Sequence, residues 1–137
     1  MKVLALDYGS ARTGVAVSDP TGTVARPLDV VERAATGDGI ARLLELARRE
    51  EVEQIVVGLP LTLRGERGAQ AEETERFVEL LRAATDLPVE SFDERFTTNL
   101  AEARHIRRGR AKRPPADAAA AAHLLTGYLT WKSARPR

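Results

Sequence analysis

The sequence predicts an α/β domain: a mixed five-stranded sheet, part antiparallel meander and part parallel, flanked by helices. Three observations lead there. Three short apolar, β-rich runs follow one another at the start of the chain. Beyond residue 38 the apolar spacing changes to the helical period. From there strands and helices alternate, so the order reads β-β-β-α-β-α-β-α-α.

The segment "KVLAL" (2–6) is a strand ended by Asp7, Tyr8 and Gly9. "TGVAVSD" (13–19) is close enough to form a hairpin with it. "TVARPLDVVER" (23–33) is a third strand; Pro27 marks an edge or a bulge, because proline cannot donate to a ladder. In "GIARLLELARREE" (39–51), Ile40, Leu43, Leu44 and Ala47 share one helical face. "QIVVGLP" (54–60) reads as a buried strand and "LTLRGERG" (61–68) as a polar loop carrying Arg64 and Arg67. "AQAEETERFVELLRAAT" (69–85) is a helix whose Glu72, Glu73 and Glu75 suit the positive helix start. "PVESFDE" (88–94) is strand five. "TTNLAEARHIRRG" (97–109) is a helix capped by Thr97 or Thr98 and stopped at Gly109. Pro114 and Pro115 end the basic linker, and the alanine-rich 116–133 segment is the last helix. Strands joined through helices should run parallel by right-handed crossovers.

A length of 137 residues suits one domain over 1–137. Without cysteine, disulfides and thiolate metal sites are excluded. The first apolar run is too short for a signal peptide, and no apolar stretch reaches the roughly 18 residues of a membrane span. A cytoplasmic chain with no membrane partner is therefore expected. Net charge is only +1, but "RHIRRGRAKR" holds Arg104, Arg107, Arg108, Arg110, Lys112 and Arg113 with no acid. Such a cluster binds polyanions, or simply forms a solvated face.

Three elements each present an acid at a boundary: Asp7 after strand one, Asp93 and Glu94 after strand five, Asp117 at the start of the last helix. Each has an ordinary reading, respectively a turn, a surface pair with Arg95, and a helix N-cap. In open α/β sheets, however, ligands collect at the carboxyl ends of strands. Adjacent parallel strands one and five would unite Asp7 with Glu94. Clustered carboxylates are costly unless neutralised, and a hard divalent cation does that with oxygen ligands. Two such ions form the clamp used in phosphodiester hydrolysis. In "DYGSARTG", Gly9 and Gly14 would admit a phosphate and Arg12 would hold it, unless the segment is a plain hairpin turn. His123 reads as a packing residue, and Tyr128 and Trp131 as core or a dimer patch.

"LALDYGSARTGVAVSD", "VVGLPLTLRGERG", "FDERFTT" and "PADAAAAAHLLTGYL", in this order, resemble the YqgF/RuvX-type family of the RNase H-like superfamily. The resemblance covers almost the whole chain. It implies an RNase H-like fold with strand one central. It also implies an endonuclease using Mg²⁺ or Mn²⁺, as one ion or two, on structured nucleic acid. Its members are named as nucleases of the 5′ end of pre-16S rRNA or as Holliday junction resolvases. Carried over by position, Asp7, Glu94 and Asp117 are the catalytic metal ligands, with Asp93 as a weaker candidate. Arg12, Arg95 and the 104–113 cluster would contact backbone phosphates. The 109–116 segment would order on substrate. A resolvase of four-way DNA would need two active sites, hence a homodimer. Two other readings compete. A nucleotide-binding ATPase would need two such domains, and the chain has length for one. A non-catalytic RNA-binding module of ribosome assembly would use the acids structurally.

Overall fold

The computed structural model describes residues 1–61, 64–94 and 115–134. Five strands form one sheet: β1 (Val3–Asp7), β2 (Arg12–Ser18), β3 (Ala25–Glu32), β4 (Gln54–Leu59) and β5 (Val89–Asp93). Three helices flank it among the described residues: α1 (Gly37–Arg49), α2 (Ala69–Ala84) and α3 (Ala116–Ala134). The order across the sheet is β3-β2-β1-β4-β5. The β1–β2 and β2–β3 pairs are antiparallel, and β1–β4 and β4–β5 are parallel. Strand β1 is therefore central, with the meander on one side and the parallel strands on the other; β1 and β5 are parallel but not adjacent as expected, because β4 pairs with both and lies between them. The expected helix over 97–109 and the linker to Pro114 lie outside the described residues.

Strand alternation divides the core in two. Leu4, Leu6, Val15, Val17, Ile55 and Val57 point to one face, where α1 and α2 cover them. Val3, Ala5, Ala16, Val56 and Phe92 point to the other, against α3. Apart from Phe92, the sheet side chains on that second face are small. This matches a helix that packs through Ala118, Ala121, Ala122 and Leu125. Tyr128 is buried and meets the Phe92 ring edge-on at 5.2 Å; Trp131 lies 5.3 Å from the same ring, half-buried. Both residues belong to this core, and His123 is half-buried on the same helix.

Local chemistry accounts for the boundaries. The ladder register shifts between Val15 and Ala16, opposite Asp29 and Pro27, on the edge strand where proline costs least. Thr36 caps α1, its hydroxyl accepting from the Gly39 amide at 3.1 Å. That helix begins two residues before the sequence-based boundary and stops at Arg49. Glu51 adopts a left-handed φ of 57°, which turns the chain toward β4. Helix α2 starts without a side-chain cap; Glu72 lies in its first turn as expected, while two other acids pair elsewhere. Glu75 pairs with Arg67, and Glu73 accepts from the Tyr8 hydroxyl at 2.8 Å. The Tyr8 ring stacks on Phe77 with centroids 4.4 Å apart. This ties the exit of β1 to the middle of α2.

No helix among the described residues is long and apolar enough to cross a membrane.

Candidate active site

Asp7 is the last residue of the central strand, and its odd position directs it to the α3 face with Val3 and Ala5. The two neighbouring strands carry glycine beside it. Gly14 of β2 is its ladder partner, and Gly58 of β4 follows the Leu6–Val57 pair. Both stand on the α3 face, two residues from Ala16 and Val56. The space they leave is taken. A Cβ on Gly14 would lie 1.8 Å from the Asp117 carbonyl oxygen, and one on Gly58 would lie 2.6 Å from Glu94 Oε2. The missing side chains let the start of α3 and the end of β5 close over Asp7 from both sides.

The result is a contacting pair of carboxyls, Asp7 and Glu94, with Asp117 near enough for its charge to be felt. Asp7 and Glu94 share a side-chain hydrogen bond, and the Asp117 charge acts on Asp7. Burial pushes the Glu94 carboxyl up to about 7, helped by the charge of Asp7, by their hydrogen bond and by the Asp93 charge. Burial also raises Asp7; the hydrogen bond with Glu94 opposes this and the Asp117 charge adds to it. The bond thus raises Glu94 and lowers Asp7, which makes Glu94 the readier of the two to hold a proton. Asp93, paired with Leu59 at the end of the ladder, lies on the opposite pleat of β5 from Phe92.

Two expectations require revision. Asp117 is not an N-cap: α3 begins at Ala116, so Asp117 lies inside the first turn. Its Oδ2 accepts from Arg12 Nε at 3.0 Å. Gly14 does not leave room for a phosphate, because the Asp117 backbone already fills that room. Arg12, expected to face phosphate, is paired with Asp117, both side chains being well exposed. Such a pair contributes about 0–1 kcal/mol and exchanges easily. Arg95, Arg104, Arg107, Arg108, Arg110, Lys112 and Arg113 lie outside the described residues. Sequence reasoning missed the space-making role of Gly14 and Gly58. The signal available was a glycine in each of two strand-like runs, near the end where Asp7 exits.

The donor set suits a hard divalent cation. Asp7 and Glu94 are in contact, the Asp117 charge is near enough to act on Asp7, and a bound cation would offset the repulsion among them. Among the described residues no three acid, histidine or cysteine side chains already converge on a single ion position. Asp117 would complete the set by leaving Arg12.

A pH dependence follows for metal-free protein. Glu94 has its folded pKa raised, so its neutral form favours the fold. That stability is fully present below the unfolded value of 4.5 and is lost as pH rises through about 7. Allowing for partial solvent screening, urea unfolding at pH 8 against pH 5 should show a loss of about 1–2 kcal/mol from this group. Glu94→Gln should remove that component. An identical pH slope in the variant would contradict the assignment.

The chain is 42% identical over 137 residues to a protein of Chloroflexus aurantiacus named "Putative pre-16S rRNA nuclease", covering 98% of this chain and 90% of that one. A Moorella thermoacetica protein of the same name is 43% identical over 134 residues, with 94% of each chain covered. Among solved structures, T. thermophilus RuvC in complex with a Holliday junction superposes with a TM-score of 0.66 at 23% identity. That likeness spans 100% of this chain and 99% of the other, and shows the RNase H-like fold. The family model described as "RuvX: Holliday junction resolvase" matches residues 1–131, so the chain belongs to the RuvX family.

Proposed function

We propose that this chain is a metal-dependent endonuclease that hydrolyses phosphodiester bonds in structured nucleic acid, and that it trims the 5′ end of pre-16S rRNA in the cytoplasm. The observation that carries the reading is the Asp7–Glu94 carboxyl contact at one end of the sheet, with the Asp117 charge acting on Asp7. The names of the relatives supply the substrate class. Residues 1–137 would act as one nuclease domain.

Asp7, Glu94 and Asp117 would hold Mg²⁺ or Mn²⁺, as one ion or two, with Asp93 close by to add charge. When bound, such an ion supplies Lewis acidity, lowering the pKa of the attacking water and offsetting charge on the leaving oxygen. The protein's own groups prepare for this. Asp7 is fixed by the central strand, which is hydrogen-bonded on both sides. Glu94 must release the proton it shares with Asp7. Arg12 must release Asp117, and its guanidinium is then available to a backbone phosphate. Arg95 and the basic 104–113 segment, six cations without an acid, would hold further phosphates independently of sequence.

A second reading is favoured by the description of the family model: cleavage of branched DNA. It would require a homodimer presenting two sites to one junction. A panel of pre-16S rRNA, four-way DNA junctions and linear controls, with Mg²⁺ or Mn²⁺, separates the two. Specific cutting of the RNA at its 5′ side is the expected result. Preferential, symmetric cutting of the junction would transfer the assignment to DNA. Binding of RNA with no cleavage under either metal would leave a ribosome-assembly module.

A further inference from the structure

We infer that Gly58 is a positioning residue for Glu94: its bare Cα makes the slot through which the Glu94 carboxyl reaches Asp7. The inference rests on the nuclease reading for its functional consequence, and on packing alone for its geometry.

Gly58 lies inside β4, hydrogen-bonded between β1 and β5, and its φ is not in the left-handed region. Nothing in its backbone conformation calls for glycine. In the middle of a strand glycine weakens the sheet, since it packs no side chain and loses more entropy on folding than alanine. The benefit must lie in space. A Cβ here would stand 2.6 Å from Glu94 Oε2, 3.0 Å from Glu94 Cγ and 2.9 Å from Leu124 Cδ2. All three distances are well inside van der Waals contact. Leu124 is 4% exposed and held in the α3 core, whereas Glu94 is only half-buried at the end of β5. The added methyl group would therefore push the Glu94 carboxyl out of the position in which it bonds Asp7. Position 58 trades strand stability for the placement of one acid.

The test is Gly58→Ala, read by a crystal structure of the metal-free variant, by Mn²⁺ titration calorimetry and by steady-state cleavage. The expected structure has the Glu94 carboxyl off Asp7 with Leu124 in place. Mn²⁺ affinity should fall about 10–100-fold, the range for losing support of a metal ligand. Turnover should fall with it, while KM for nucleic acid stays within about twofold. Should the single variant fold poorly, Gly58→Ala combined with Leu124→Ala relieves the core contact and leaves the Glu94 contact. The Mn²⁺ defect should persist there relative to Leu124→Ala alone. Glu94 still bonded to Asp7, Mn²⁺ affinity within twofold of wild type, or full recovery in the double variant would each overturn the inference. If wild-type protein neither binds Mn²⁺ nor cleaves, the nuclease reading fails. Displacement of Glu94 in the metal-free variant would still establish what Gly58 does.

Discussion

Asp7→Asn is expected to lower metal-dependent cleavage by on the order of 10³-fold, with nucleic-acid binding and the folded state intact. The substitution keeps size and shape and removes one negative charge. In the folded protein that charge is unfavourably placed: burial and Asp117 both resist it. Its loss removes the burial penalty and the repulsion toward Asp117, so the metal-free variant should melt at or above the wild-type temperature. Asparagine still offers an oxygen to the Glu94 proton, so the local hydrogen bond survives. What it removes is the charge needed to hold a divalent ion at the end of the central strand. Higher stability with lost activity separates a catalytic acid from a structural one, because a structural acid would lose both. Retained cleavage in Asp7→Asn would defeat the mechanism, and a large fall in melting temperature would give Asp7 a structural role instead.

The sheet was legible because its evidence is local. Period-two apolar runs, the Pro27 interruption and the change to helical spacing after residue 38 all lie within single elements. The acids were legible for a related reason: Asp7 and Glu94 stand where an apolar run ends, and topology brings those ends together. What was not legible depends on contacts between distant segments. Arg12 reads as an unpaired cation, and its bond to Asp117, 105 residues away, cannot be seen from local sequence. Asp117 reads as an N-cap because cap preference is a local rule, whereas the helix start is set by how α3 seats on β2. Glu73 reads as a helix-start charge, yet it accepts from Tyr8, 65 residues back. The glycines are the clearest case. Nothing in "RTGVAVS" or "QIVVGL" says that the missing side chain makes room for another part of the chain.

Gly14 shows how large that nonlocal effect should be. A Cβ there would sit 1.8 Å from the Asp117 oxygen, 2.3 Å from its carbonyl carbon and 3.0 Å from the Ala118 nitrogen. All three atoms are backbone, so no rotamer change offers relief. The first turn of α3 would have to lift from β2, and Ala118, Ala121 and Leu125 behind it are almost wholly buried. Overpacking of this kind normally costs about 1–3 kcal/mol; with only backbone to yield, Gly14→Ala should cost about 3 kcal/mol or more. For a chain of this size that lowers the melting temperature by roughly 10 °C. Gly37→Ala is the control, since nothing lies within 4 Å of a Cβ at that position. It should melt within about 2 °C of wild type. The consequence extends to the site: lifting the first turn carries Asp117 away from Asp7. Gly14→Ala should therefore lose cleavage even at temperatures where it remains folded, whereas Gly37→Ala keeps it. If both alanine variants melted alike, helix α3 would not be seated on Gly14. The route by which the fold delivers Asp117 to the cluster would then need another explanation.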